Sequence, residues 1–280
     1  MQKDKVTIPI LHQMKQEGQK ITMLTAYDYP FALLVDKAKI EIVLVGDSLG
    51  NVVLGYESTI GVTMDEMLHH AKAVKRAVKR AFLIGDMPFM SYNVNTEKAI
   101  ENAGRFLKEA GCEAVKLEGG LEVAETVSCI VKAGISVLGH IGLTPQTVSK
   151  LGGYKVQGKE AEKAKKIIDS AKKLEEAGCF ALILECIPET LAKIITSELN
   201  IPTIGIGAGP HCDGQVLVIH DLLGMSDGFK PKFVKNYANL SKDITSAIES
   251  FKKEVKENKF PSREYSFHMK EEEIKKLKRE

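Results

Sequence analysis

A chain of 280 residues, 44% of them hydrophobic, has the length of two ordinary domains or of one α/β barrel of about 250 residues. Its 39 Lys+Arg against 37 Asp+Glu leave a net charge of +2, so nothing in the composition asks for nucleic acid or an anionic membrane as partner. Five cysteines, an odd number with no Cys-x-x-Cys pair, argue against a disulfide framework or a structural zinc site and fit a reducing cytosol.

The first residues, MQKDKVTIPILHQMKQEGQK, lack the continuous apolar run of a secretory signal, and no long uncharged apolar stretch occurs anywhere. A soluble, cytoplasmic protein is expected. From residue 21 onward, short apolar and β-branched runs alternate with charged segments of helical spacing. The runs lie at 21–26, 42–46, 81–85, 114–117, 136–139, 181–184, 201–206 and 215–219. Near-continuous apolar runs mark strands buried on both faces, and parallel strands need the crossovers that the helical segments supply. Eight such units predict an α/β fold, the (β/α)8 TIM barrel. The expected organisation is a single catalytic barrel over 1–268 and a charged tail over 269–280.

Two units resemble each other: EAGCEAVKLEGG at 109–120 and EAGCFALILECI at 176–187 each place a Gly to stop a helix before a strand, and put Glu118 and Glu185 in equivalent positions. The likeness fits an internal duplication and equally the shared physics of any two βα units. Residues 142–160, GLTPQTVSKLGGYKVQGKE, form one long loop after the fifth strand and read as an active-site lid. The tail KEEEIKKLKRE at 270–280 reads as a solvated helix or frayed end.

Polar residues close the apolar runs: Asp47 and Ser48 after the second, Asp86 after the third, Glu118 after the fourth, His140 after the fifth and Glu185 after the sixth. In a TIM barrel the C-terminal strand ends share one catalytic rim, so these residues are expected to converge. Three carboxylates together repel one another and resist burial unless a cation or protons offset them. With oxygen ligands and no His or Cys pair at zinc spacing, the expected metal site is Asp47, Asp86 and Glu118 holding Mg²⁺ or a similar divalent cation such as Mn²⁺. For Asp47 alone, Gly-Asp-Ser before a helix also fits an N-cap.

Lys116 lies two residues before Glu118, so strand periodicity turns both to one face. Binding a substrate carboxylate is expected of it in preference to Schiff-base chemistry, because the acids keep its ammonium charged. Glu185 follows ALIL, an apolar setting that suits a general base; His140 is a second candidate for that role, or a structural hydrogen-bonding partner. GIGAG at 205–209 reads either as a phosphate cradle or as a tight turn.

Nearly end to end, the chain resembles the ketopantoate hydroxymethyltransferase family. The resemblance rests on TAYDYPFA (25–32), VGDSLGNVVLGY (45–56), DMPFMSY (86–92), VKLEGG (115–120), GHIGLTPQ (139–146), GGYKVQG (152–158), LECIP (184–188), IGIGAG (204–209) and YSFH (265–268). It implies transfer of a hydroxymethyl group from 5,10-methylenetetrahydrofolate to 3-methyl-2-oxobutanoate, giving 2-dehydropantoate, the first committed step of pantothenate synthesis. It further implies that Asp47, Asp86 and Glu118 form the metal site, that Ser48 and Lys116 contact the ketoacid, that Glu185 is the base, and that the assembly is a homo-oligomer, a decamer of paired pentameric rings. Asp47, Asp86 and His140 complete the set expected around the ketoacid. The competing readings are another Mg²⁺-dependent enolate-forming lyase on the same barrel, acting on phosphoenolpyruvate-like or methylisocitrate-like acids, and a non-catalytic ligand-binding barrel.

Overall fold

The computed structural model describes residues 4–151, 153–225 and 231–277. Gly152 of the expected lid and the last three residues of the tail lie outside that set. Eight parallel strands close a barrel in sequence order: β1 Ile21–Thr25, β2 Ile42–Val45, β3 Phe82–Asp86, β4 Ala114–Glu118, β5 Ser136–Gly142, β6 Ala181–Glu185, β7 Thr203–Ile206 and β8 Gly214–Leu217, with β8 pairing back onto β1 at Met23 and Val216. The TIM barrel expected from the eight apolar runs is therefore present. The fifth run proves longer than its apolar stretch, so His140 lies within β5 rather than after it.

Period two sorts each strand. Ile42, Leu44, Phe82, Ile84, Ala114, Leu138, Ile183 and Ile204 pack inside the barrel, while Val43, Val45, Leu83, Val115, Leu117 and Val137 pack outward against the helices. Helix α1 (Ile8–Gln16) carries fully buried Leu11 to this inner cluster, where Phe82 and Phe180 meet edge to face at 5.5 Å.

The outer layer contains α2 (Tyr29–Lys37), the single turn α3 (Leu49–Val52), α4 (Met64–Ala77), α5 (Thr96–Ala110), α6 (Ala124–Lys132), the short α7 (Val148–Leu151), α8 (Ala161–Glu176) and α9 (Glu189–Glu198). Local chemistry sets their ends. A capping box opens α4, in which Thr63 Oγ1 accepts from the Glu66 N–H and the Glu66 carboxylate accepts from the Thr63 N–H. Asn95 caps α5, and Gly111, at φ 69, ends it in the left-handed conformation.

The helical crossovers do not run all the way round. Between β7 and β8 the chain makes only the turn 207–213, and the helix α10 (Ile219–Leu223) after β8 is short. The long helix α11 (Leu240–Lys256) follows it with no buried residue, leaving Ile244, Ile248, Phe251 and Val255 exposed along one side. Helix α12 (Glu271–Leu277) is likewise without buried residues.

Candidate active site

Inward-pointing columns that are apolar at the bottom of the barrel end in polar groups at its C-terminal rim. On β3 the column is Phe82, Ile84, Asp86; on β4 it is Ala114, Lys116, Glu118; on β5 it is Leu138 then His140; on β6 it is Ala181, Ile183, Glu185. Register sets them side by side, because Asp86 is opposite Lys116 and Glu118 is opposite His140. Asp47 enters from the turn after β2. It does not cap α3, whose first turn has no side-chain cap; its own N–H instead donates to Asp86 Oδ2 at 3.1 Å. Ser48 Oγ shares a 2.8 Å hydrogen bond with the Tyr27 hydroxyl. All seven residues singled out in the sequence line one cavity of about 180 Å³, well under the roughly 300–1,000 Å³ of pockets that take drug-sized ligands.

The charges interlock. Lys116 Nζ donates to Asp86 Oδ2 at 2.8 Å and to Glu118 Oε1 at 3.1 Å. His140 lies between two acids, with Nδ1 3.5 Å from Glu118 Oε1 and Nε2 3.1 Å from Glu185 Oε2. Neither ring nitrogen meets the angular requirements of a hydrogen bond, so charge rather than directionality carries these contacts. Burial and the Lys116 ammonium oppose charge on His140, but the flanking carboxylates outweigh them and lift its pKa to about 9. Burial likewise opposes ionisation of Glu118, but Lys116 and His140 hold it down at about 2. For Lys116, burial is outweighed by Asp86, Glu118 and Asp47, which keep the ammonium charged. Asp47 is pushed well above the usual carboxylate range by burial and then by the Asp86 charge; burial also raises Asp86, against the pull of Lys116.

Asp47 and Asp86 are thus the two acids left wanting a proton or a cation. Asp86 Oδ1 is buried without a hydrogen-bond partner, and Asp47 uses only Oδ2 in a side-chain hydrogen bond. Those free oxygens fit a hard divalent cation. Among the described residues, however, no three His, Cys, Asp or Glu side chains stand together as a ligand set. The physical reason lies at Glu118, expected as the third ligand, whose Oε1 is engaged by Lys116 and whose Oε2 accepts from the Gln146 N–H at 3.0 Å. Lys116 itself is paired with the acids rather than left open for an incoming carboxylate.

The apolar setting expected for Glu185 is half realised: Ile183 and Ile206 line the cavity beside it, but its carboxylate meets the His140 ring. Of the two readings of GIGAG, the geometry supports the tight turn. A Cβ at Gly207 (φ 64) would meet Phe233 Cδ1 at 2.8 Å, and one at Gly209 (φ 78) would meet Glu189 Cβ at 2.4 Å. The loop after β5 does reach the site, with Pro145 and Tyr154 lining the cavity.

Sequence reasoning missed two further polar residues of the site. Gln146 is 2% exposed and bonds to Asp47 and Tyr92, and Thr59, also buried, lines the cavity with its hydroxyl unpartnered. Neither closes an apolar run; for Gln146 the polar cluster TPQT in the loop after β5 was the available hint.

Comparison with known proteins agrees with this geometry. Among solved structures, phosphonopyruvate hydrolase superposes with a TM-score of 0.61 at 12% identity over 98% of this chain and 95% of its own. The 2,3-dimethylmalate lyase, of the PEP mutase/isocitrate lyase superfamily, gives 0.57 at 12% identity over 97% and 98%. Likeness at that identity is one of fold. Sequence relatives are much nearer. The 3-methyl-2-oxobutanoate hydroxymethyltransferase of Carboxydothermus hydrogenoformans is 60% identical over 95% of this chain and 96% of its own length. That of Syntrophomonas wolfei is 55% identical over 98% and 99%. The family model for ketopantoate hydroxymethyltransferase matches residues 5–263, which take in every residue of the rim. With the acid-lined barrel mouth and this end-to-end match together, the chain belongs to the ketopantoate hydroxymethyltransferase family.

Proposed function

We propose that the chain transfers a hydroxymethyl group from 5,10-methylenetetrahydrofolate to 3-methyl-2-oxobutanoate, yielding 2-dehydropantoate, the first committed step of pantothenate synthesis. One observation carries the reading: the Glu185 carboxylate and the Asp47–Asp86 pair line the same small cavity, in a chain 55% identical over nearly its whole length to a hydroxymethyltransferase. Asp47 and Asp86 would hold a divalent cation, Mg²⁺ or Mn²⁺, with Glu118 closing the far side of the site. Such a cation, when bound, supplies a Lewis acid that favours the enolate of the ketoacid.

The chain's own groups account for the rest. Glu185 takes the proton from C3 of the ketoacid, C3 bonds to the one-carbon unit as its two C–N bonds to the folate break, one water supplies the hydroxyl of the new hydroxymethyl group, and tetrahydrofolate leaves with its nitrogens protonated. His140, an imidazolium 3.1 Å from Glu185 Oε2, offsets the negative charge gathered in the pocket. Lys116 holds Asp86 and Glu118 apart, with one bond to each. Ser48, at the cavity wall, offers its hydroxyl to the ketoacid carboxylate. Tyr154 and Phe233 also line the cavity and supply aromatic faces on which the flat folate ring would stack.

We take the barrel, 1–268, as the catalytic unit and the charged tail as separate from it. No helix among the described residues is long and apolar enough to cross a membrane, and the free cysteines suit the cytoplasm. The exposed apolar side of α11 supports a homo-oligomer, the decamer expected of the family, since a stripe of that kind is ordinarily covered by a partner. A monomer mass in light scattering would count against it.

The deciding experiment is turnover of 3-methyl-2-oxobutanoate with Mg²⁺, with and without 5,10-methylenetetrahydrofolate. Product that forms only with the folate is expected. Cleavage of a ketoacid or hydroxyacid without folate would replace this reading with that of an enolate-forming lyase.

A further inference from the structure

Gln146, on the 3₁₀ turn Pro145–Thr147, turns both amide hydrogens, its amide oxygen and its backbone N–H to groups in and around the acid cluster. Its Nε2 donates to Asp47 Oδ2 at 2.8 Å and to the Met87 carbonyl at 3.0 Å, and its Oε1 accepts from the Tyr92 hydroxyl at 2.6 Å. Its backbone N–H donates to Glu118 Oε2 at 3.0 Å. Tyr92 in turn accepts from the Glu118 N–H at 3.2 Å. Both amide hydrogens, the amide oxygen and the backbone donor of one residue are thus satisfied by groups from the ends of β2, β3 and β4.

This pattern also sets which way the amide faces. Two acceptors lie against its nitrogen, and the Tyr92 hydroxyl, whose single hydrogen faces both Gln146 Oε1 and the Glu118 carbonyl oxygen at 3.1 Å, lies against its oxygen; the flipped amide would bring its oxygen against the Asp47 carboxylate and the Met87 carbonyl. Without Gln146, Asp47 would be free to rotate about its last torsion, which is broad and roughly two-fold for a carboxylate. With it, Oδ2 is engaged and Oδ1 is left as the oxygen turned to other uses.

We infer that Gln146 is a positioning residue of the reaction: from the loop after β5 it holds the carboxylates of Asp47 and Glu118 in one fixed arrangement and selects the Asp47 oxygen that meets the bound cation. The inference rests on the metal reading proposed above. It also explains why the loop after β5 is tied down at its base, at residue 146, while Tyr154 further along is 62% exposed. The base of the loop belongs to the site.

The residue types that could replace Gln146 are few. Asn is one methylene too short to span Asp47 and Tyr92 together. Glu would set a carboxylate against Asp47. Met matches the volume but leaves Asp47 Oδ2, the Met87 carbonyl and the Tyr92 hydroxyl without their partner, a loss that costs free energy in a buried site.

The test is Mn²⁺ binding to the full chain, measured by electron paramagnetic resonance without turnover, on the wild-type protein, Gln146→Met, Tyr92→Phe and the loop control Gln157→Met. Outer-shell partners of metal ligands typically set affinity by about 10–100-fold, so Gln146→Met should weaken Mn²⁺ binding by that factor. Tyr92→Phe, which keeps Gln146 but removes what orients it, should weaken it several-fold, and Gln157→Met should leave it unchanged. KM for the ketoacid should rise with Mn²⁺ affinity in the two site variants, while KM for the folate stays as in the wild type. A folded Gln146→Met that binds Mn²⁺ as the wild type does overturns the inference. If Gln146→Met does not fold, unchanged Mn²⁺ affinity in Tyr92→Phe overturns it instead. A wild-type chain that binds no Mn²⁺ overturns the metal reading, and this inference with it; wild-type binding with indifferent variants overturns the positioning role alone.

Discussion

Replacing His140 by Gln removes the imidazolium that separates Glu118 from Glu185, and the structure sets the size and sign of the effect. The ring is 2% exposed and touches a carboxylate at each nitrogen, which lifts its pKa from 6.5 to about 9. The folded chain therefore holds this proton more tightly than the unfolded chain does. The resulting stabilisation is complete below about pH 6.5 and is lost as pH rises through about 9. At about 1.4 kcal/mol per pH unit, the contribution is on the order of 3 kcal/mol. The assay is urea denaturation of the wild type and His140→Gln at a series of pH values across that window. Groups remote from His140 cancel in the comparison, so the stability gap should be widest at the acid end and shrink by that amount at the alkaline end. Because Glu185 is the base in this reading and His140 its partner, wild-type kcat/KM should fall through the same alkaline range, and the fall should be absent in His140→Gln. Stability curves that run parallel for the two chains would refute the imidazolium assignment.

Three further outcomes are expected. Glu185→Gln keeps shape but loses the basic oxygen, so turnover should drop by about 10²–10⁴ with ketoacid binding little changed, and Mg²⁺-dependent exchange of the C3 hydrogen with deuterated water should be lost; exchange at the wild-type rate would move the base elsewhere. Excess chelator should abolish activity, and Asp47→Ala or Asp86→Ala should weaken Mn²⁺ and ketoacid binding together. Since burial pushes both acids up, Mn²⁺ affinity should also decline on acidification as protons compete; full activity in chelator would end the metal reading. Lys116→Met leaves Asp86 and Glu118 buried without their counter-charge, which should cost about 3–5 kcal/mol and lower the melting temperature by roughly 10 °C, with Mg²⁺ restoring part of the loss. An unchanged melting temperature in the metal-free protein would show that the lysine is not what balances those acids.

The barrel and the rim were legible in the sequence for one reason: strand chemistry is periodic and local. Eight apolar runs gave eight strands, and the polar residues closing the second to sixth runs were bound to lie at the C-terminal face, which is why Asp47, Asp86, Glu118, His140 and Glu185 could be expected together. Period two also placed Lys116 and Glu118 on one inward face. The Gly stop read in EAGC at 109–112 was equally local, and Gly111 does end α5.

Pairing depends on register and on loops, and neither is local. Whether the acids face an outside cation or the chain's own ammonium is decided by Asp86 lying opposite Lys116 across β3 and β4, a match that no single stretch encodes. His140 became the partner of Glu118 and Glu185 because β5 runs on past its apolar stretch, to Gly142, and carries the ring between β4 and β6. Gln146 reaches Asp47 across 99 positions of sequence. Composition and periodicity determined which residues reach the mouth of the barrel; only tertiary structure decided which of them touch, because side-chain electrostatics acts over a few ångströms of space and is indifferent to distance along the chain.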